Sequence, residues 1–179
     1  LLLPETLNMR TVSWMYAELS ASTHYSFLRS VADPDVLAMR AAELGYKTLA
    51  ISDYAGVYGI PKFHQAAAKC GLRAIVGASL DVIEIGRIRL LCETQHGYQN
   101  LCQLITLGHA RSPKGHCLVS LEHLVEHAEG LTCLVGPQLY SMSAIPIAKL
   151  RAVFSRDHLA VECHRHLTRE SASIEQRLR

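Results

Sequence analysis

Short apolar runs alternate with helix-like stretches along most of this chain. Tyr46 to Ile51 is a short apolar run suited to a strand buried on both faces. Asp53, Gly56, Tyr58 and Gly59 follow in a turn-rich loop. Pro61 fits the first turn of a helix, where its missing N–H costs nothing, and Gly71 can end that helix in the left-handed conformation. Ala74 to Val76 starts the next strand, so residues 42–80 have the length of one βαβ unit. Upstream, Trp14 to Leu19 reads as a first strand, and Asp33-Pro34 begins a helix that runs to Leu44 and stops at Gly45. Downstream, Leu80 to Ile85 and Ile88 to Cys92 read as strands around a turn at Gly86-Arg87, followed by a helix over 97–106. Ser120 caps a helix through Ala128, and Leu131 to Val135 is a strand. A helix lies around Ile147 to Phe154, a strand at His158 to Cys163, and Thr168 caps a last helical segment. This alternation favours a parallel sheet with right-handed crossovers and leaves a doubly wound sheet and a barrel both open.

Composition narrows the class without naming a function. The 179 residues are enough for one domain with a sizeable core, and a hydrophobic fraction of 49% fits a folded chain. Eighteen Lys and Arg against sixteen Asp and Glu give a net charge of +2, too small to announce a nucleic-acid surface. Cysteines 70, 92, 102, 117, 133 and 163 show no CxxC spacing and sit mostly in apolar segments, as reduced, buried, cytosolic thiols would. No apolar run approaches the roughly 18 residues of a membrane span. The opening Leu-Leu-Leu-Pro has no basic leader, so a cytoplasmic location is expected. A start on Leu rather than Met points to a segment of something longer.

Several stretches carry more than a fold pattern. Leu44-Gly45-Tyr46, Ile51-Ser52-Asp53, Gly56-Val57-Tyr58-Gly59-Ile60-Pro61-Lys62-Phe63 and Ile75-Val76-Gly77-Ala78 resemble the second and third motifs of the polymerase and histidinol phosphatase (PHP) domain. The similarity leans toward the version at the N-terminus of bacterial DNA polymerase III alpha subunits of the error-prone, translesion, family C type. Glu18-Leu19 with Ser26-Phe27-Leu28 resembles the first motif. The helix from Gly97 to Thr106, the Ser112-Pro113-Lys114-Gly115 loop and the strand ending at His164-Arg165-His166 are also similar to that family. The resemblance implies a PHP-type distorted β/α barrel of about seven strands, with its chemistry at the C-terminal strand ends. Residues 1–13 are then a lead-in and 14–179 the PHP domain, the N-terminal fragment of a larger polymerase. The family's later Asp-x-His motif falls beyond Arg179, and the closing strand can fall outside with it.

The resemblance also implies a metal cluster held by His, Asp and Glu for phosphoester hydrolysis, the ions activating water and clamping phosphoryl oxygens. The aligned positions here are Ser20 and Ser22 for two histidines, Asp53 and Tyr54 in the second motif, and Ser79 for a glutamate. A serine hydroxyl is a weak neutral donor, and tyrosine would have to ionise from a pKa of about 10. Only Asp53 keeps a metal-binding side chain, with His24, beyond the second lost histidine, as the other candidate.

The expectation is therefore no catalytic residue and no cofactor in this domain, which would be a structural or interaction module of a DNA-directed DNA polymerase in replication, repair and damage-induced translesion synthesis. The parent polymerase would use Mg, reach DNA itself, and bring the remainder of its chain and other replication or repair proteins as partners. The alternatives are an active phosphoesterase or 3′–5′ exonuclease using Zn or Mn, and a free-standing PHP-like binding protein. His164 with His166 and His123 with His127 have spacings that can bind zinc; with no third ligand evident, both are read as structural or solvated. Lys62, Lys69 and Arg73 read as the wet face of a helix rather than a phosphate track, and Asp53 as a turn brace.

Overall fold

In this computed structural model the described residues are 16–136 and 144–162. The chain builds β1 (Glu18–Ala21), α1 (Pro34–Glu43), β2 (Thr48–Tyr54), α2 (Ile60–Lys69), β3 (Arg73–Val82), β4 (Gly86–Cys92), α3 (Gln95–Ala110), β5 (Leu118–Val119), α4 (Leu121–Glu126), β6 (Leu131–Val135), α5 (Ala144–Val153) and β7 (Leu159–Val161). The seven strands form one curled sheet in the order β1-β2-β3-β4-β6-β7, with β5 beside β3. This is the half-barrel of the expected distorted β/α barrel.

The helix ends follow their residues. Asp33 accepts from the Asp35 amide at 2.9 Å, and Pro34 opens α1. Gly45 (φ +82°) and Gly71 (φ +68°) sit just past α1 and α2 in the left-handed region, where a side chain would be strained. Ser120 caps α4 by accepting from the His123 amide at 3.2 Å, and α4 ends at Glu126, short of Ala128.

Several expectations change. The sheet is mixed, because β4 runs antiparallel to both β3 and β6. The turn between β3 and β4 lies at Ile83 to Ile85, before Gly86, with Glu84 at φ +64°, and the 74–76 run joins the first part of the 80–85 run in one strand, Arg73–Val82. The first strand starts at Glu18, and the short β5, too brief for a periodic signal, was not foreseen.

Alternation along the strands sorts the side chains onto two faces. Leu49 and Ile51 pack with Phe63, Ala66 and Ala67 of α2 and with Ala38 and Ala41 of α1. On the same face Leu80, Val82, Ile88, Leu90, Cys133 and Val135 meet Leu101 and Leu104 of α3, Leu124 of α4 and Leu150 of α5. Each such large apolar side chain contributes about 1.5–3 kcal/mol when fully buried. The helices thus cover the outer face. The inner face has a small apolar floor, Ala50, Leu91 and Leu134 with Leu19 and Ile75 against them, and polar residues nearer the strand ends. No helix among the described residues is long and apolar enough to cross a membrane.

Candidate functional site

Asp53 and Tyr54 end β2 and point to its opposite faces. Asp53 is buried, 1% exposed, and both of its carboxyl oxygens are taken. Oδ1 accepts from the Thr23 amide and the Ser26 hydroxyl, and Oδ2 from the Thr23 hydroxyl, all at 2.6 Å. Both hydroxyls are satisfied in turn: Thr23 Oγ1 accepts from the Tyr25 amide at 3.2 Å and Ser26 Oγ from the Tyr54 amide at 3.0 Å. Gly59, just before α2, closes over this cluster. A Cβ there would lie 3.2 Å from Asp53 Oδ2, 3.2 Å from Thr23 Oγ1 and 3.0 Å from the Tyr25 ring.

Tyr54 serves the inner face. Its hydroxyl donates to Asp81 Oδ2 at 2.8 Å, and Arg87 grips Asp81 with Nε on Oδ1 at 2.8 Å and an Nη on Oδ2 at 2.9 Å. The guanidinium carbons of Arg29 and Arg87 lie 4.3 and 4.5 Å from the Tyr54 ring centroid, within cation–π range. Burial raises the Tyr54 pKa, and the hydrogen bond to Asp81 raises it further, so the phenol stays neutral. Burial also pushes Asp81 upward, but the hydrogen bonds from Arg87 and Tyr54 outweigh it and hold the carboxyl below its ordinary range.

A second ionic group lies deeper along the sheet. Ser20 donates both its amide and its hydroxyl to Glu18 Oε1 at 2.7 Å, and Tyr16 donates to Oε2 at 2.8 Å. That bond is the main reason the Tyr16 phenol is pushed up to about 12. Burial raises Glu18, but hydrogen bonds from Ser20 and Tyr16, with the charge of Arg89, bring it below the carboxylate norm. Arg89 also pairs with Glu162 at the end of β7. Ser79 stands between Tyr54 and Arg89 in the strand register and is 7% exposed.

The expected site residues are thus only partly gathered. Tyr54 and Ser79 are cross-strand neighbours on the inner face, while Asp53 faces the Thr23–Ser26 loop. Ser22 offers its carbonyl to Ser30 Oγ at 2.8 Å. His24 stacks on Tyr25 with centroids 4.5 Å apart and lies 3.9 Å from Asp33 Oδ2, in the loop rather than with Ser20. No three His, Cys, Asp or Glu side chains among the described residues come together as a metal group.

The other candidates resolve individually. An Arg111 Nη lies 2.9 Å from His123 Nε2, which must accept because arginine only donates, and His127 Nδ1 donates to the His123 carbonyl at 2.9 Å. His123 therefore has no nitrogen lone pair left for a shared ion. Lys62 bonds Asp33 at 2.8 and 2.9 Å, linking α2 to the start of α1. Cysteines 70, 92, 102, 117 and 133 are free thiols, and burial pushes Cys133 up to about 12, far from a reactive thiolate. His164, His166 and Cys163 lie outside the described residues.

A family model for the PHP domain matches residues 18–166. The chain belongs to the PHP family. Among curated proteins it is 35% identical over 143 residues to an error-prone DNA polymerase of Idiomarina loihiensis, covering 79% of this chain and 14% of that one. It is 38% identical over 151 residues to an error-prone DNA polymerase of Pseudomonas aeruginosa, covering 84% of this chain and again 14% of the relative. The chain therefore spans about one seventh of the length of these relatives. A solved protein described as a metal-dependent phosphoesterase, from Bifidobacterium adolescentis, shares the fold at a TM-score of 0.58 and 13% identity, over 90% of this chain and 82% of its own.

Within this PHP domain Asp53 and Tyr54 end β2 as expected, but Ser20 lies inside β1 and Ser79 inside β3, and the partners of these positions were missed. Thr23 and Ser26 were visible beside the first motif as small hydroxyl residues. Asp81 and Arg87 sit six positions apart across the β3–β4 turn, a spacing that has meaning only once the hairpin register is known. His109 of α3 meets the Ala55 carbonyl at 2.8 Å, bracing the left-handed residue that follows Tyr54.

Proposed function

We propose that this PHP domain is a noncatalytic module of an error-prone DNA polymerase polypeptide, with a structural or interaction role. The observation that carries the reading is the Tyr54–Asp81–Arg87 network on the inner face. Where a phosphoesterase of this family would set metal ions, this chain sets fixed guanidinium groups already balanced by carboxylates. A divalent ion needs open carboxylate or imidazole lone pairs, and the donor set does not fit that need. Asp53 spends both oxygens on Thr23 and Ser26, Ser20 donates to Glu18, and Tyr54 donates to Asp81. Kinship to error-prone polymerases over most of the chain supports the parent assignment, and with it DNA contact and Mg-dependent synthesis elsewhere in the polypeptide, in the cytoplasm.

The test is metal content and nuclease activity of the full-length polypeptide after exhaustive dialysis. Zinc and manganese well below one equivalent, with no metal-stimulated release of nucleotides from DNA, are the expected results. Stoichiometric tightly bound zinc or manganese, with nucleotide release abolished by Asp53→Ala, would sink the noncatalytic role and favour the phosphoesterase or exonuclease reading. A reading frame that stops near Arg179 would remove the polymerase parent and leave a free-standing binding protein.

A further inference from the structure

The loop between β1 and α1 is tightly closed at its base and apolar at its tip. The His24 amide donates to the Ala32 carbonyl at 2.8 Å, and Ser30 Oγ to the Ser22 carbonyl at 2.8 Å. Inside, the Arg29 amide returns to the Ser26 carbonyl at 2.9 Å, while the Ser26 hydroxyl is fixed on Asp53. Three large apolar side chains project from this rigid base: Phe27 is 81% exposed, Leu28 90% and Val31 96%. Leu28 is held at φ +60°, a conformation that costs a bulky L-residue about 1–2 kcal/mol. Strain and exposure together in one pinned loop are poor design for a surface that faces water.

We infer that the Phe27–Leu28–Val31 tip docks this domain into an apolar recess on another part of its own polymerase polypeptide. The inference rests on the parent reading given under Proposed function. The exposed apolar area is on the order of several hundred Å², the scale of a functional patch on a monomer. It suits the core of an inter-domain interface of roughly 600–1,500 Å². DNA is a poor occupant, because the tip offers apolar side chains and only the Arg29 cation, which already lies on the Tyr54 ring. A covalently attached neighbour is the better occupant: the matched relatives are about seven times the length of this chain, and attachment supplies an effective concentration near the millimolar range. The preformed loop adds to this, since little backbone freedom is lost when it docks.

The experiment places Val31→Cys in the full-length polypeptide and follows its modification by a maleimide, read by peptide mass spectrometry so that the native cysteines do not interfere. The same cysteine is measured with Phe27→Ser and Leu28→Ser added. Docking predicts slow modification with the native loop and at least tenfold faster modification in the triple variant, while hydrogen exchange in β2 and β3 stays protected and shows the domain folded. Equal, fast rates in both, in a polypeptide of polymerase length, overturn the docking and leave the parent reading standing. Protection that fades on dilution assigns the tip to a second copy and overturns it as well. A polypeptide that ends near Arg179 overturns both readings together.

Discussion

The two sides of the end of β2 meet the same problem with different chemistry. Asp53 faces outward into a sealed cluster of neutral donors, the Thr23 amide and the Thr23 and Ser26 hydroxyls, under Gly59. Tyr54, the next residue, faces inward to a half-open network of full charges, Asp81, Arg87 and Arg29. A buried carboxylate is tolerated when both of its oxygens are met by short hydrogen bonds. A partly wet carboxylate can instead use bidentate arginine pairing, which solvent screens. The sealed side organises the loop, and the open side fills the mouth of the half-barrel. The difference teaches that the acid of the second motif, Asp53, is one whose hydrogen bonds hold the backbone together.

That contrast can be broken by substitution. The largest effect is expected from Asp53→Ala. It strands the Thr23 amide and two hydroxyls in a buried site, at about 1–3 kcal/mol for each unsatisfied group, with the total on the order of 3–5 kcal/mol. Urea unfolding would measure this; a loss below 1 kcal/mol would show that the sealed cluster is dispensable. Arg87→Ala is expected to cost less, about 1–2 kcal/mol, because the pair is screened at its one-quarter to one-third exposure.

The Arg87 variant also carries a pH signature. The folded Asp81 carboxyl titrates below its unfolded value, so its stabilisation is complete above about pH 4 and is lost as pH falls through the lower folded value. Removing Arg87 takes away the largest lowering influence, so the acid limb of stability should flatten. An unchanged acid limb would show that the Tyr54 hydrogen bond and the Arg29 charge suffice to hold Asp81 down. The smallest effect is expected from Leu28→Gly, which trades left-handed strain against glycine entropy for a gain of about 0.5–1 kcal/mol in domain stability. A loss of stability there would mean that the Leu28 side chain is needed within the domain itself.

Much of the fold was legible in the residues. Asp33-Pro34, Gly45, Pro61, Gly71 and Ser120 punctuate the helices where local backbone chemistry requires, and Leu131 to Val135 is the strand its apolar run implies. The sheet direction was less legible. The 74–76 run merges with Leu80 to Val82 because Gly77 to Ser79 continues in extended conformation, and nothing local distinguishes a small-residue strand from a break. The motif positions were also legible as positions, but not their directions: Asp53 and Tyr54 differ by one residue, and in a strand that places them on opposite faces.

What the sequence determined by itself is local: most helix ends and the motif frame that carries Ser20, Ser22, Asp53, Tyr54 and Ser79. These depend on φ preference, capping and donor chemistry, which act over a few residues. What only the tertiary structure decided is partnership. Thr23 and Ser26 reach Asp53 across 27 to 30 positions of chain, and Arg89 reaches Glu162 across 73. Such pairings are set by strand register and sheet curvature, and no spacing rule along the sequence encodes a distance that folding creates.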